Sequence, residues 1–166
     1  MKLEDFYLLK DEEIDLDKYY DFYYDVREHM EVPEWLGVIP RDVIEDSLAH
    51  GGKLWIYKNG EEYVSSIMYM PADNSSLKKH NINHDASIVG CCGPTMVNRK
   101  YIGNGLHTQM LQVLNEHAKS LGMKYMETRI HSDNIYSERN FLKDGYELVD
   151  SYISSDGPRN VYLKKL

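Results

Sequence analysis

The spacing of apolar residues predicts one long amphipathic helix near the middle of the chain, from Asn104 to Leu121. Apolar side chains recur there at intervals of three and four residues. One face of the helix would therefore carry Leu106, Met110, Val113, Leu114, His117 and Leu121. Gly122 is expected to end the helix, and the positive charge of Lys119 is favourable near the negative end of the helix dipole.

The first third of the chain is predicted to form a short strand followed by two helices. Phe6–Leu9 is the strand candidate, and Ile14–Met30 has helical spacing. Five of the six residues 19–24 are aromatic, and aromatic side chains on all sides of a helix must pack on a sheet or face a pocket. Two prolines place Val32–Ile39 in a loop, and Arg41–His50 is predicted as a short second helix.

A hairpin and a further strand are predicted next. Lys53–Lys58 and Glu62–Met70 read as paired strands, and Asn59-Gly60 favours a two-residue turn between them. Residues 71–85 are polar and long for a loop, so we expect a functional or mobile segment. Ala86–Val97 is the next predicted strand.

The last third is predicted to hold a strand, a short helix and a closing hairpin. The strand is Met123–His131, in which Met126, Thr128 and Ile130 share one face, and Glu127, Arg129 and His131 share the other. The helix is Ser137–Lys143. The hairpin pairs Tyr146–Ile153 with Asn160–Leu166 around a turn at residues 154–158.

The order of these elements, β-α-α-β-β-β-α-β-α-β-β, indicates an α/β (α+β mixed) fold. It predicts a central mixed, mostly antiparallel sheet of six to seven strands with helices on both faces. The chain has 166 residues, which is the size of one domain, so we expect a single domain over residues 1–166.

The start of the long helix is a candidate anion site. The first N–H groups of a helix have no partner inside it, and the helix dipole adds positive charge there. Gly103 and Gly105 allow close approach to the backbone, while Arg99 and Lys100 add full charges. A phosphate or pyrophosphate fits this pattern. An ordinary glycine turn before a helix explains the same residues, and neither a P-loop nor a dinucleotide fingerprint is present.

Two motifs in this order and spacing resemble the GNAT superfamily of acyl-CoA N-acyltransferases. The first, similar to that family's Arg/Gln-x-x-Gly-x-Gly/Ala turn, is Lys100-Tyr101-Ile102-Gly103-Asn104-Gly105. The second, similar to its Asn-x-x-Ser-x-x-x-Tyr-x-x-x-Gly-Phe segment, runs from Asn134 through Ser137 and Phe141 to Tyr146. The chain departs from the family at Lys100, at Tyr101, and at Phe141, where many members carry a tyrosine that acts as general acid.

The resemblance implies a splayed sheet and the transfer of an acetyl group from acetyl-CoA, as co-substrate, to an amine of a small molecule or peptide. It implies that the backbone of Thr95, Met96 and Val97 binds the pantetheine arm and that the turn from Lys100 to Gly105 holds the pyrophosphate. Asn134 would contact the pantetheine or a bound water, and Phe141 would lie near the sulfur. Tyr23 and Trp35 are candidate acceptor contacts.

The catalytic base is not settled by these motifs. Glu127 and His131 are candidates because both lie on the strand beside the expected cleft, and histidine titrates near neutral pH. A surface ion pair of Glu127 with Arg129 or Lys124, and a purely structural role for His131, explain the same residues. A non-catalytic acyl-CoA-binding module of the same fold remains the alternative function.

The composition of the chain bears on which classes of partner and which cellular location are expected. The net charge is −8, from 27 acidic and 19 basic residues, and no basic stripe is visible, so nucleic acid is not an expected partner. The sequence contains no signal peptide pattern and no apolar run long enough to span a membrane, so we expect a cytoplasmic protein. Adjacent Cys91 and Cys92 are unlikely to form a disulfide. His80, His84 and Asp85 match no tight metal motif, and a homodimer is left open.

Overall fold

A seven-stranded sheet forms the centre of the computed structural model, which describes residues 6–166. Its spatial order is β1-β2-β3-β4-β5-β7-β6. The strands are β1 (Tyr7–Leu8), β2 (Lys53–Asn59), β3 (Glu62–Pro71), β4 (Val89–Val97), β5 (Tyr125–His131), β6 (Glu147–Ser154) and β7 (Gly157–Lys165). Only β4 and β5 pair in parallel within this sheet. The predicted mixed, mostly antiparallel sheet is therefore confirmed.

Helices cover both faces of the sheet. In residues 6–166 they are α1 (Leu16–Glu28), α2 (Arg41–Ala49), α3 (Asn74–Lys79), α4 (Leu106–Ser120) and α5 (Ile135–Lys143). Two of them, α4 and α5, share one apolar cluster with the sheet, whereas α1 and α2 belong to a second cluster and α3 to a third. None of the described helices is both long and apolar enough to cross a membrane.

Strand β2 explains why the sheet needs helices on both sides. Leu54 and Ile56 pack with α1 and α2, whereas Trp55 and Tyr57 belong to the cluster that contains α4. Successive side chains of a strand point to opposite faces, so a run of apolar residues can be buried only when both faces are covered.

The prediction of a long polar loop at residues 71–85 is wrong. The segment contains α3, whose first turn is capped by the Asp73 carboxylate, which accepts the Ser76 N–H at 3.0 Å. Leu77 is the buried residue of this short helix and belongs to an apolar cluster with Val89 of β4 and Val161 of β7. The strand that we predicted from Ala86 begins three residues later because a 3₁₀ turn comes first.

Both hairpin loops are tighter or shifted relative to the prediction. Asn59 pairs with Glu62, so the loop is Gly60-Glu61 and not Asn59-Gly60. Gly60 has a φ of +59°, which suits the first central position of a type II′ turn. In the last hairpin Ser154 pairs with Gly157, so only two residues remain in the loop.

The parallel pairing of β4 with β5 covers only three residues on each strand. Val89–Cys91 pair with Tyr125–Glu127, and no pairing follows within the described sheet. Just beyond, Met68 of β3 lies opposite both Gly93 and Pro94, which makes a bulge in β4. A Cβ on Gly93 would come within 2.8 Å of the Met70 sulfur, so a larger residue there would require the Met70 side chain to move. The sheet therefore opens between β4 and β5 after Cys91 and Glu127.

Helix α4 is shorter than predicted at both ends. It begins at Leu106 because Gly105, with a φ of +75°, forms its N-cap. Leu106, Met110 and Leu114 are buried as expected, but Leu121 is the C-cap residue and is 48% exposed. The prediction that Leu121 belongs to the buried face is therefore wrong, because the helix ends before it.

Leu114 is buried and Leu121 is exposed, so substitutions at these two positions should affect stability differently. Leu114→Ala should lower the free energy of unfolding by about 2–5 kcal/mol, because it empties a fully buried site. Leu121→Ala should change it by no more than about 0.5 kcal/mol. Urea unfolding followed by circular dichroism measures both, and an equal loss in the two variants would contradict the observed end of α4.

Candidate functional site

A cleft of about 1040 Å³ lies where β4 and β5 separate. Its walls come from β4, the turn after it, β5, α5 and the segment between α1 and α2. Ten of the predicted site residues line it: Tyr23, Trp35, Thr95, Met96, Val97, Lys100, Ile102, Glu127, Asn134 and Phe141. Five others lie outside this lining: Tyr101, Gly103, Asn104, Gly105 and His131.

The open edge of β4 offers backbone groups to the cleft. The Asn98 N–H donates to the Val64 carbonyl of β3 at 2.8 Å. Backbone groups of an antiparallel strand alternate in direction, so Met96 also faces β3, whereas Thr95 and Val97 face the side from which β5 has separated. Their N–H and C=O groups are therefore available to an extended ligand that adds to the strand edge.

The glycine turn leads from this edge into α4. Gly103 has a φ of +91° and Gly105 a φ of +75°, both in the region that favours glycine. The first helical hydrogen bond runs from the Gln109 N–H to the Gly105 carbonyl, so the N–H groups before Gln109 have no partner inside the helix. A Cβ on Gly103 would meet nothing within 4 Å, so the turn is open for an anion to approach.

A carboxylate that the sequence analysis did not identify organises this turn. Glu62 of β3 accepts hydrogen bonds from the Tyr101 hydroxyl at 2.8 Å and from the Lys100 and Asn98 side chains at 3.3 Å each. The Tyr101 bond is the largest cause that holds the pKa of Glu62 below its usual value. The Tyr101 side chain is buried and packs against Phe6, so it anchors the turn to the core.

Asn134 and Phe141 both lie at the cleft on α5. Asn134 is the N-cap of this helix, and its side-chain oxygen accepts the Ser137 N–H at 3.2 Å. Phe141 is 2% exposed and makes edge contacts with the rings of His107 and Tyr146. Burial lowers the pKa of His107 to about 4, so this ring is neutral near pH 7. Phe141 therefore packs against neutral aromatic rings.

Glu127 lies at the point where the sheet opens. Its side chain is 4% exposed, and its Oε1 accepts from the Cys91 thiol at 2.9 Å and from Arg129 Nη2 at 3.2 Å. Its Oε2 is buried and has no hydrogen-bond partner among the described residues. Burial and the neighbouring carboxylate raise the pKa of Cys91 well above its usual value, so the thiol stays protonated and acts as a donor. Glu127 thus has one oxygen that a ligand could satisfy.

Arg129 lies beside Glu127 on the same face of β5 and is held by α3. Its Nη2 also donates to the Ser76 hydroxyl at 2.6 Å. The end of α3 is in turn bound to β6 through the Asp150 carboxylate. The His80 ring contacts this carboxylate at 3.2 Å, and the Asn81 side-chain amide donates to it at 3.3 Å. His84 stacks on Tyr125 instead of approaching His80. The segment that we had predicted as a loop is therefore part of the cleft wall.

His131 does not face the cleft. It is 7% exposed, its Nδ1 accepts the Asp133 N–H at 3.1 Å, and its Nε2 lies against Gly157. The strand alternation that places His131 on the Glu127 face is correct, but β7 and its turn cover the end of β5. The β7 turn encloses this ring, so His131 is not positioned to act as a base in the cleft.

The segment between α1 and α2 forms one wall of the cleft. The buried Tyr23 hydroxyl donates to the Gly37 carbonyl and accepts the Ile39 N–H, so this hydroxyl positions the segment. Burial raises the pKa of Tyr23 to about 12. Trp35 lies 6.3 Å from the ring of Tyr136 on α5, and Arg159 of β7 donates to its backbone carbonyl. Both side chains line the cleft, and the Tyr23 hydroxyl is engaged by the backbone of this segment.

Three residues of this site were missed in the sequence. The alternation of the strand places Arg129 on the same face as Glu127, two residues along, and this signal could have identified it as a second residue of the cleft. Glu62 and Ser76 gave no local signal, since their roles come from contacts with residues more than 30 positions away. Long-range contacts of this kind are not visible in a single sequence.

Comparisons with known proteins identify relatives of this architecture. A family model described as the acetyltransferase (GNAT) family matches residues 14–146. A comparison with curated proteins gave no match.

Several solved structures are similar over almost the whole chain. A GNAT-family acetyltransferase from Staphylococcus aureus has a TM-score of 0.73 at 14% identity and covers 97% of this chain and 99% of its own. An acetyltransferase from Streptococcus agalactiae has a TM-score of 0.73 at 14% identity, with 99% and 100% covered. A GNAT-family acetyltransferase from Elizabethkingia anophelis with acetyl-CoA bound has a TM-score of 0.66 at 13% identity, with 98% and 99% covered. At these identities the likeness establishes the fold.

Proposed function

The chain belongs to the acetyltransferase (GNAT) family, and we propose that it transfers the acetyl group of acetyl-CoA to the primary amine of a small molecule or peptide. The transfer is a direct attack of the amine while both substrates are bound. The observation that carries this proposal is that one cleft contains an open strand edge and a buried carboxylate and ends, at Lys100 and Ile102, beside the glycine turn that leads into α4.

Acetyl-CoA fits the chemistry of the cleft from end to end. The amides of a pantetheine arm match the free backbone groups of Thr95 and Val97, as an added strand would. The pyrophosphate matches the turn from Lys100 to Gly105, where unpaired N–H groups and the helix dipole favour an anion. Lys100 already pairs with Glu62, so the remaining attraction would come from the backbone N–H groups and from Arg99, which also lines the cleft.

Glu127 is the proposed base. An amine attacks only when it is neutral, so a proton must leave the nitrogen before or during attack. The unpartnered Oε2 of Glu127 is available to accept that proton, directly or through one water. The Arg129 guanidinium and the Cys91 thiol bind the other oxygen and hold the carboxylate in position. A free N–H at the β4 edge would polarise the thioester carbonyl.

The leaving group needs no tyrosine acid in this proposal. Phe141 occupies the matched position, and the buried Tyr146 hydroxyl lies outside the cleft lining. A free thiol has a pKa of about 8.5, so the CoA thiolate is only moderately basic and can take its proton from water or from the amine. A positioned acid is typically worth about 10²–10⁴-fold, so its absence slows the reaction without preventing it.

A cytoplasmic location and the acceptor's identity remain predictions. The location is supported by the two unpaired thiols, Cys91 and Cys92, which suit a reducing compartment.

Substitution of Gly103 tests the proposed pyrophosphate site. Acetyl-CoA at about 100 times its Kd should stabilise the wild type by about 2.7 kcal/mol, which is a rise in Tm of roughly 5–10 °C. Gly103→Glu should abolish this rise, because it places bulk and negative charge where the anion binds. Differential scanning fluorimetry measures the shift.

Gly122→Glu is the matched control. Gly122 also has a positive φ, of +82°, and a Cβ there also meets nothing within 4 Å, but it lies at the opposite end of α4. It should suffer the same backbone strain and keep the full shift. An unchanged shift in Gly103→Glu would locate the cofactor elsewhere.

Glu127→Gln tests the base. The amide keeps the shape and can still accept hydrogen bonds from Cys91 and Arg129, but it cannot take a proton. Turnover, measured as release of the CoA thiol, should fall by about 10²–10⁴-fold, while the thermal shift with acetyl-CoA stays. Glu147→Gln, at an exposed position of β6, serves as the control. If Glu127→Gln retains a third or more of the wild-type rate, the base lies elsewhere.

A further inference from the structure

Arg129 presents unused hydrogen-bond donors to the cleft. Both of its hydrogen bonds are made by Nη2, to Glu127 and to Ser76. Its Nη1 and Nε therefore donate to no described residue. The side chain is 34% exposed and lines the cleft, so these donors are accessible from the same space as Glu127.

Glu127 presents the complementary group beside it. Its Oε2 is buried without a partner, which is costly unless a ligand or water supplies a donor. The two side chains touch at 3.2 Å through Nη2 and Oε1 and both line the cleft, so the unused acceptor and the unused cationic donors belong to adjacent side chains of one wall.

We propose that the acceptor is a primary amine that carries a carboxylate only a few bonds away, as in a free amino acid. This inference rests on the proposed function. The amine faces Glu127 Oε2, and the carboxylate accepts from the free donors of Arg129. Because these two groups are in contact, an acceptor with a distant anionic group could not use both.

The charges at the base of the cleft favour a zwitterion over a polyamine. A zwitterion places its ammonium by Glu127 and its carboxylate by Arg129, so every charge faces an opposite one. A second ammonium of a polyamine would instead lie beside the guanidinium, where like charges repel.

The surroundings hold Arg129 in place for this role. Ser76 fixes one nitrogen from α3, and α3 is fixed to β6 through the Asp150 carboxylate. The ion pair with Glu127 fixes the same nitrogen from the other side. The guanidinium is thereby positioned before the acceptor arrives, so less conformational freedom is lost on binding.

Matched acceptors test the proposal. The experiment measures kcat/KM for sets of three acceptors that share one side chain: the free amino acid, its α-amide and the decarboxylated amine. A polyamine is measured beside them. The wild type should prefer the free amino acids. Arg129→Gln should lower the ratio of amino acid to amide by roughly 10- to 100-fold, the usual worth of a hydrogen bond to a charged group.

The ratio of kcat/KM for the amino acid to that for its amide separates carboxylate recognition by Arg129 from the effect of Arg129 on Glu127. Loss of Arg129 also alters the surroundings of Glu127, but that change slows amino acid and amide alike and cancels in the ratio. Arg129→Lys keeps the charge and should retain part of the preference. Arg139→Gln, at an exposed position of α5 outside the cleft lining, should leave the ratio unchanged.

The outcomes are distinguishable. Preference for a polyamine or a decarboxylated amine, or a ratio that Arg129→Gln does not move, overturns this inference while leaving acetyl transfer intact. Absence of CoA release with every amine, although acetyl-CoA still raises the Tm, overturns the proposed function itself.

Discussion

The end of the β4–β5 pairing after Cys91 and Glu127 is the constraint on which the site depends. The bulge at Gly93-Pro94 turns β4 away, so that the backbone groups of Thr95 and Val97 lose the neighbour that a continuous sheet would give them. Buried backbone groups without partners are unfavourable, so this edge is stable only when water or a ligand satisfies it. An extended ligand that completes the sheet is the simplest solution.

The same opening assembles the chemistry from separate parts of the chain. At the far end of β4, Glu62 holds the turn in which the unpaired N–H groups of α4 begin. On the other side, β5 brings Glu127 and Arg129 to the opening, and α3 keeps the guanidinium in place through Ser76. A ligand lying along β4 would therefore meet an anion site at one end and a carboxylate with a free oxygen at the other. Acetyl transfer to an amine needs this combination.

Much of the fold could be predicted because its signals are local. The helical spacing of α4, the alternation in β5 and the two glycines of the turn each depend on a few neighbouring residues, and each is present near its predicted position. The placement of Glu127 in the cleft also follows from alternation. Helix α3 was not predicted because its amphipathic signal is a single apolar residue, Leu77, and the helix depends on its cap and on the apolar cluster that Leu77 shares with strands β4 and β7. The roles of Glu62 and Arg129 depend on which strands become neighbours, and the exposure of Leu121 depends on where α4 stops.

Hydrogen exchange at four consecutive residues, followed by NMR, tests the central claim most directly. Addition of acetyl-CoA should slow exchange of the Thr95 and Val97 amides, because the ligand would bind the open edge of β4. The amides of Met96 and Asn98 should change little, because they already face β3, as the Asn98 bond to Val64 illustrates. Saturating acetyl-CoA that leaves Thr95 and Val97 unprotected, or that protects all four amides equally, would contradict the account.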